Sequence, residues 1–118
     1  MSAQYSIRTY QRFPVACRLH YLGPECVGKG IVLNLSRMGW RIEGECAVAP
    51  GTVLTLSVVC PHETVPIMVD RASVRWAREG VFGIQIVAMR REEAARLNRF
   101  VVALVRQHVL DRRIAPSF

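Results

Sequence analysis

Every second residue changes character along six short stretches of this chain, and Gly or Pro separates each stretch from the next. In Thr52 to Cys60, Leu54, Leu56, Val58 and Cys60 share one parity while Thr55 and Ser57 share the other; in Val81 to Met89, Phe82, Ile84 and Ile86 oppose Gly83 and Gln85. Successive side chains of a strand point to opposite faces, so each stretch reads as a strand with one buried side. The remaining stretches are Val15 to Leu22, Gly30 to Ser36, Trp40 to Val48 and Val65 to Ala77. Between them lie Gly23-Pro24, Ala49-Pro50-Gly51, Pro61-His62 and Glu79-Gly80, where Gly and Pro supply the backbone angles that close turns. An open sheet of such strands has unpaired edges, and a closed one has none. The expected architecture is mainly β, a six-stranded antiparallel β-barrel.

The period changes near the C-terminus. Leu97, Phe100, Val101, Leu104, Val105, His108 and Val109 recur at three- and four-residue spacing, which predicts a C-terminal α-helix from about Glu92 to Arg112 that caps the barrel. Glu92 and Glu93 fall in its first turn, where carboxylates favour the helix dipole. Arg96, Arg99 and Arg106 lie on the opposite face and read as solvated, while His108 reads as packed. Residues 1–13 are polar and follow neither period, so they read as a flexible N-terminal arm, with residues 14–113 forming the barrel and helix. A chain of 118 residues suits that single domain.

The formal net charge is +7, and Lys29 is the one lysine among 16 Lys and Arg residues. A guanidinium is a planar fork that pairs two-pronged with phosphate or a guanine edge and stacks on rings, so an anionic, partly aromatic partner is favoured. Cys17, Cys26, Cys46 and Cys60 are too widely spaced for a zinc site, and the histidines His20, His62 and His108 have no acid, base or nucleophile arranged around them. No phosphate-loop or dinucleotide glycine pattern occurs. These readings argue against an enzyme and a metal site, and no cofactor is expected. No leader opens the chain, and the apolar run Phe100 to Val105 is too short to span a bilayer. A cytoplasmic location with reduced thiols and no membrane insertion is expected.

Two short motifs carry chemistry. Arg8-Thr9-Tyr10-Gln11-Arg12 places two guanidinium groups on the arm, and Asn34-Leu35-Ser36-Arg37-Met38-Gly39 closes the second strand. By strand parity Leu33 and Leu35 point inward, which would set Asn34 and Ser36 side by side on the outer face. Gly39 is free to adopt a tight or left-handed backbone that admits a ligand close to the chain. An amide oxygen and a hydroxyl on a rigid strand can hold a base edge while arginines fold over phosphates and stack. Alone, each motif is ordinary, the first as a solvated pair and the second as a strand-to-turn signature.

Together, in this order and spacing, they make the chain resemble the PilZ family of cyclic di-GMP receptors, whose hallmark is Arg-x-x-x-Arg followed by Asp or Asn-x-Ser-x-x-Gly. The resemblance extends through the strands, the segment from Val74 to Gly83 and the C-terminal helix. It implies that Arg8 and Arg12 clasp guanine and phosphate, that Asn34 and Ser36 hold a guanine, and that Gly39 keeps the turn open. Asn34 stands where many members have Asp, which implies a weaker acceptor. Trp76 shares parity with Val74 and is core by default, but its place near a strand end makes it a candidate for stacking on the ligand. Trp40 is expected to pack. Related sequences often carry a further arginine where this chain has Ile7, which implies one bound ligand rather than a stacked pair. The implied function is to bind cyclic di-GMP and relay it to an unidentified effector protein by ordering the arm. Two alternatives remain: a nonspecific nucleic-acid-binding barrel, favoured by a pI of about 10.1 and opposed by few exposed aromatics, and a ligand-free adaptor acting by protein contacts.

Overall fold

A computed structural model describes residues 13–61 and 63–114. Six strands, β1 (Phe13–Leu22), β2 (Val27–Leu35), β3 (Gly39–Gly44), β4 (Val53–Val59), β5 (Ile67–Arg78) and β6 (Val81–Ala88), precede the helix α1 (Arg91–Ile114). The strands close into a barrel in the order β1-β2-β3-β6-β5-β4, with every neighbouring pair antiparallel. This is the expected fold class.

The alternation read from the sequence is the alternation of burial. Leu54, Leu56 and Val58 of β4 are fully buried beside Leu19 and Tyr21 of β1, Val32 and Leu35 of β2, and Trp40 and Ile42 of β3. Tyr21 needs room that only glycine leaves. A Cβ at Gly28 or Gly44 would overlap its ring, which meets Phe82 edge-on at 5.3 Å and 68°. The Tyr21 hydroxyl donates to the Cys46 carbonyl at 2.7 Å and accepts from the Cys46 N–H at 2.8 Å. That clamp holds the segment after β3, so β3 ends at Gly44 rather than continuing to Val48.

The Glu79-Gly80 turn between β5 and β6 has φ of 51° and 82°, the paired left-handed angles that match the twist of a two-residue hairpin. Pro14 lies within β1 rather than before it. It has no N–H for the ladder, and the β1–β2 register shifts between Pro14 and Cys17.

Helix α1 buries Leu97 and Val101 in the core, with Phe100, Leu104 and Val105 packed against it. Its first turns are tied to the entry of β5: Glu93 accepts from the Met68 N–H at 2.7 Å, and Arg96 donates to the carbonyls of Pro66 and Val65. Arg96 also pairs with Glu93 and Glu63, each at 3.4 Å. Arg96 is therefore an anchor rather than a solvating charge, because the loop before β5 presents carbonyls that no strand satisfies. Among the described residues no helix is long and apolar enough to cross a membrane. The four cysteines are free thiols. Within the core the Cys17 and Cys60 thiols lie against each other, and their mutual hydrogen bonding holds the Cys17 pKa down and, together with burial, pushes that of Cys60 up.

Candidate functional site

Strand β2 reaches the second motif through a break in register between Val32 and Asn34. Leu33 is the extra residue, so Val32 and Leu35 both point into the core. Asn34 lies on the outer face, opposite Arg41 of β3 and Pro14 of β1. Its Oδ1 is buried and has no hydrogen-bond partner. A desolvated amide oxygen without a donor costs about 1–3 kcal/mol. Asn34 thus presents an acceptor that the fold itself does not fill.

Ser36 departs from the parity reading. β2 ends at Leu35, and Ser36 turns inward with 1% of its surface exposed. Its Oγ donates to the Gly39 carbonyl at 2.8 Å and accepts from the N–H groups of Gly39 at 3.0 Å and Met38 at 3.3 Å. A hydroxyl has one proton and two lone pairs, and here all three are engaged. The side chain closes the turn, and Trp40 locks it by donating Nε1–H to the Ser36 carbonyl at 3.0 Å from a fully buried position. Gly39 opens β3, is buried and pairs with Gln85 of β6. Its φ is not left-handed; among the described glycines that conformation occurs at Gly51 and Gly80.

Trp76 leaves the core for the same kind of reason that Leu33 is displaced. The β5–β6 register shifts between Val74 and Trp76, so Arg75 is an extra residue and the parity after it is reversed. Val74 stays buried while Trp76 is 37% exposed on the outer face. The indole lies flat over Gly83, where a Cβ would overlap it, and the Arg41 guanidinium stands 5.7 Å from its ring centroid. Such an exposed cation–π contact is worth about 0.5–1 kcal/mol.

The registers join these residues. Asn34 pairs with Arg41, Arg41 with Gly83, and Gly83 with Trp76, so an unfilled acceptor, a guanidinium and an aromatic face form one row across β2, β3, β6 and β5. Sequence reading did not count Arg41 or Gly83 among the site residues. A glycine inside an alternating strand is the signal that points to a close approach, here of an indole. Ser36 and Gly39 sit beneath the row as its turn.

Arg8 and Arg12 lie outside the described residues. Their connection is nonetheless bounded by covalent geometry: Arg12 precedes Phe13, which pairs with Leu35 next to Asn34, and even a fully extended link keeps Arg8 within about 18 Å of Phe13. The chain thus enters the barrel beside the unfilled acceptor. Among the described residues no group of three His, Cys, Asp or Glu side chains is placed to hold a metal ion.

Residues 6–103 match the family model of the PilZ domain. Two solved structures share the fold. The PilZ domain of CeSA from a cellulose-synthesizing bacterium superposes with a TM-score of 0.63 at 15% identity, covering 80% of this chain and 97% of that one. The Bacillus subtilis inhibitor of motility superposes with a TM-score of 0.68 at 16% identity, covering 91% of this chain and 54% of that one, so the present chain spans about half its length. A comparison with curated proteins returned no match.

Proposed function

This chain belongs to the PilZ domain family, and from that premise we propose that it is a cytoplasmic receptor that binds cyclic di-GMP reversibly along the row from Asn34 to Trp76. One observation carries the reading. The buried, unpartnered Oδ1 of Asn34 shares a cross-strand row with the Arg41–Trp76 pair, at the place where the chain leading from Arg8 and Arg12 joins β1.

In this reading Asn34 accepts a guanine N–H, which relieves its desolvated oxygen. Arg8 and Arg12 take the phosphates and the second guanine edge through charge-assisted, forked contacts. Trp76, backed by Arg41, offers a face on which a base or the arginines of the arm can stack. Ser36 and Gly39 contribute by holding the turn that sets the position of Asn34. The protein is a binding module, not an enzyme, and needs no cofactor. Its output is an ordered arm that a separate effector protein reads, with the ligand supplying the differential contacts that shift the population.

Calorimetric titration of the full chain with cyclic di-GMP tests this. Saturable heat is expected that weakens only modestly between about 50 and 200 mM salt, over which the Debye length falls from roughly 14 to 7 Å. No heat at high micromolar ligand would overturn it. Binding of single-stranded oligonucleotides that tightens with length and collapses with salt would identify a nucleic-acid barrel instead.

A further inference from the structure

The turn after Asn34 has a second side. Arg37, Met38, Ile86, Val87, Met89 and Leu97 line a cavity of about 320 Å³ between the turn, the end of β6 and the first half of α1. That size is at the small end for ligand pockets and suits a single anchoring side chain rather than a nucleotide. Met38 and Val87 stand at its rim, 41% and 59% exposed, while Ile86 and Met89 pack against the core and Leu97 is part of it. Methionines adapt to differently shaped apolar side chains, which is why they recur on binding surfaces.

Charge narrows the occupant. The Nε of Arg37 is buried and has no hydrogen-bond acceptor. A buried guanidinium N–H without an acceptor is as unfavourable as an unfilled carbonyl, and a carboxylate is the acceptor that fits it best. Arg90 and Arg91 follow Met89 and are exposed, whereas Glu93 is turned away to the Met68 N–H and Arg96. Residues 1–12 carry no carboxylate at all. None of the described side chains supplies an acceptor to this Nε.

We infer that this cavity docks an acidic segment of a partner protein, taking one large apolar side chain between Met38 and Met89 and a carboxylate against Arg37. The turn ties the cavity to the row above it. The Met38 N–H is held by the Ser36 hydroxyl, and its carbonyl accepts from the Ile86 N–H at 2.7 Å, so the turn that follows Asn34 also sets the rim of the cavity. The link between nucleotide and partner rests on the receptor reading; the docking itself does not.

Two of the four methionines line the cavity and Met68 does not, so methyl NMR of the full chain with labelled methionine reads the site directly. The probes are acetylated pentapeptides, Asp-Glu-Leu-Glu-Asp and its Phe counterpart, titrated without nucleotide and compared with versions carrying Lys for the acids or Ala for the apolar residue. Saturable shifts of Met38 and Met89, with Met68 unmoved, are expected. Arg37→Gln should weaken binding about tenfold or more, and the Lys and Ala peptides should bind as poorly. Val87→Glu, on the exposed rim, should repel the acidic peptides equally and covers the case in which Arg37→Gln does not fold. The inference falls if neither acidic peptide shifts Met38 and Met89, if the Lys peptides bind as well, or if both variants bind normally. It also falls if those methyls shift with protein concentration alone, which would make a second copy the occupant. Calorimetry with cyclic di-GMP is a separate readout, so failure of the receptor reading and failure of the docking surface are told apart.

Discussion

Tyr21 and Asn34 are both polar residues of one small barrel, and the fold treats them in opposite ways. Around Tyr21 every group is answered: two glycines clear space for the ring, and the Cys46 backbone meets the hydroxyl as both donor and acceptor. Around Asn34 the amide oxygen is buried and unmet, the neighbouring guanidinium of Arg41 leans on an exposed indole, and Arg37 is left with an orphan N–H. Buried polar groups are satisfied almost everywhere in native proteins, so clustered exceptions stand out and call for a reason beyond stability. The first setting stabilises the fold; the second leaves unmet the groups that the proposed ligand would answer.

Substitutions can break this division or sharpen it. Gly44→Val should cost about 3 kcal/mol of stability or more, because the added methyl groups meet the Tyr21 ring. Chemical denaturation measures it, and a fall of under 1 kcal/mol would show that the ring is freer than its contacts imply. Arg8→Ala and Arg12→Ala should each weaken cyclic di-GMP binding by about 2 kcal/mol or more with the melting temperature unmoved. Unchanged affinity by calorimetry in either variant would remove the first motif from the site. Ile7 offers neither charge nor fork for a second, stacked ligand, a contact worth about 1.5 kcal/mol or more. The unmodified protein should therefore bind one ligand per chain at micromolar concentrations, with Ile7→Arg moving the calorimetric ratio towards two. A ratio of two without the substitution would mean that another arginine serves. The smallest effect is the most diagnostic: Asn34→Ala should lose about 1 kcal/mol of ligand affinity while stability stays level or rises, since it deletes an unmet oxygen. Asn34→Asp should hold or improve affinity; a large loss there would show that the side chain donates rather than accepts.

Much of the barrel is legible without coordinates because alternation is a local property. Leu54, Leu56 and Val58 announce their face by spacing alone, and Glu79-Gly80 announces a hairpin by composition. The motif spacing likewise points to a family before any strand is paired. What stays hidden are the breaks in register at Pro14/Cys17, Val32/Asn34 and Val74/Trp76. A bulge is defined by two residues facing one on the partner strand, and no single strand records its partner. That is why Trp76 reads as core from Val74 and why the Arg41–Gly83–Trp76 row does not appear in the sequence, whereas Ser36 reads as a surface hydroxyl because alternation is carried one residue past the end of β2 at Leu35. Arg96 escapes notice for a related reason, since the carbonyls it binds lie some thirty positions away in the chain.

The closed ring of ladders also limits how such a molecule can move. In an open sheet an outer strand can slip by a residue and find new partners. Here each strand is held on both sides, so a slip at one seam has to be matched by slips at all the others, and every one of them would turn core side chains outward. The barrel therefore behaves as a rigid frame, with motion possible at its attachments and not within its wall. The longest of these attachments is the 24-residue helix, which is seated on the frame through Leu97 and Val101 and tied at its root to the entry of β5.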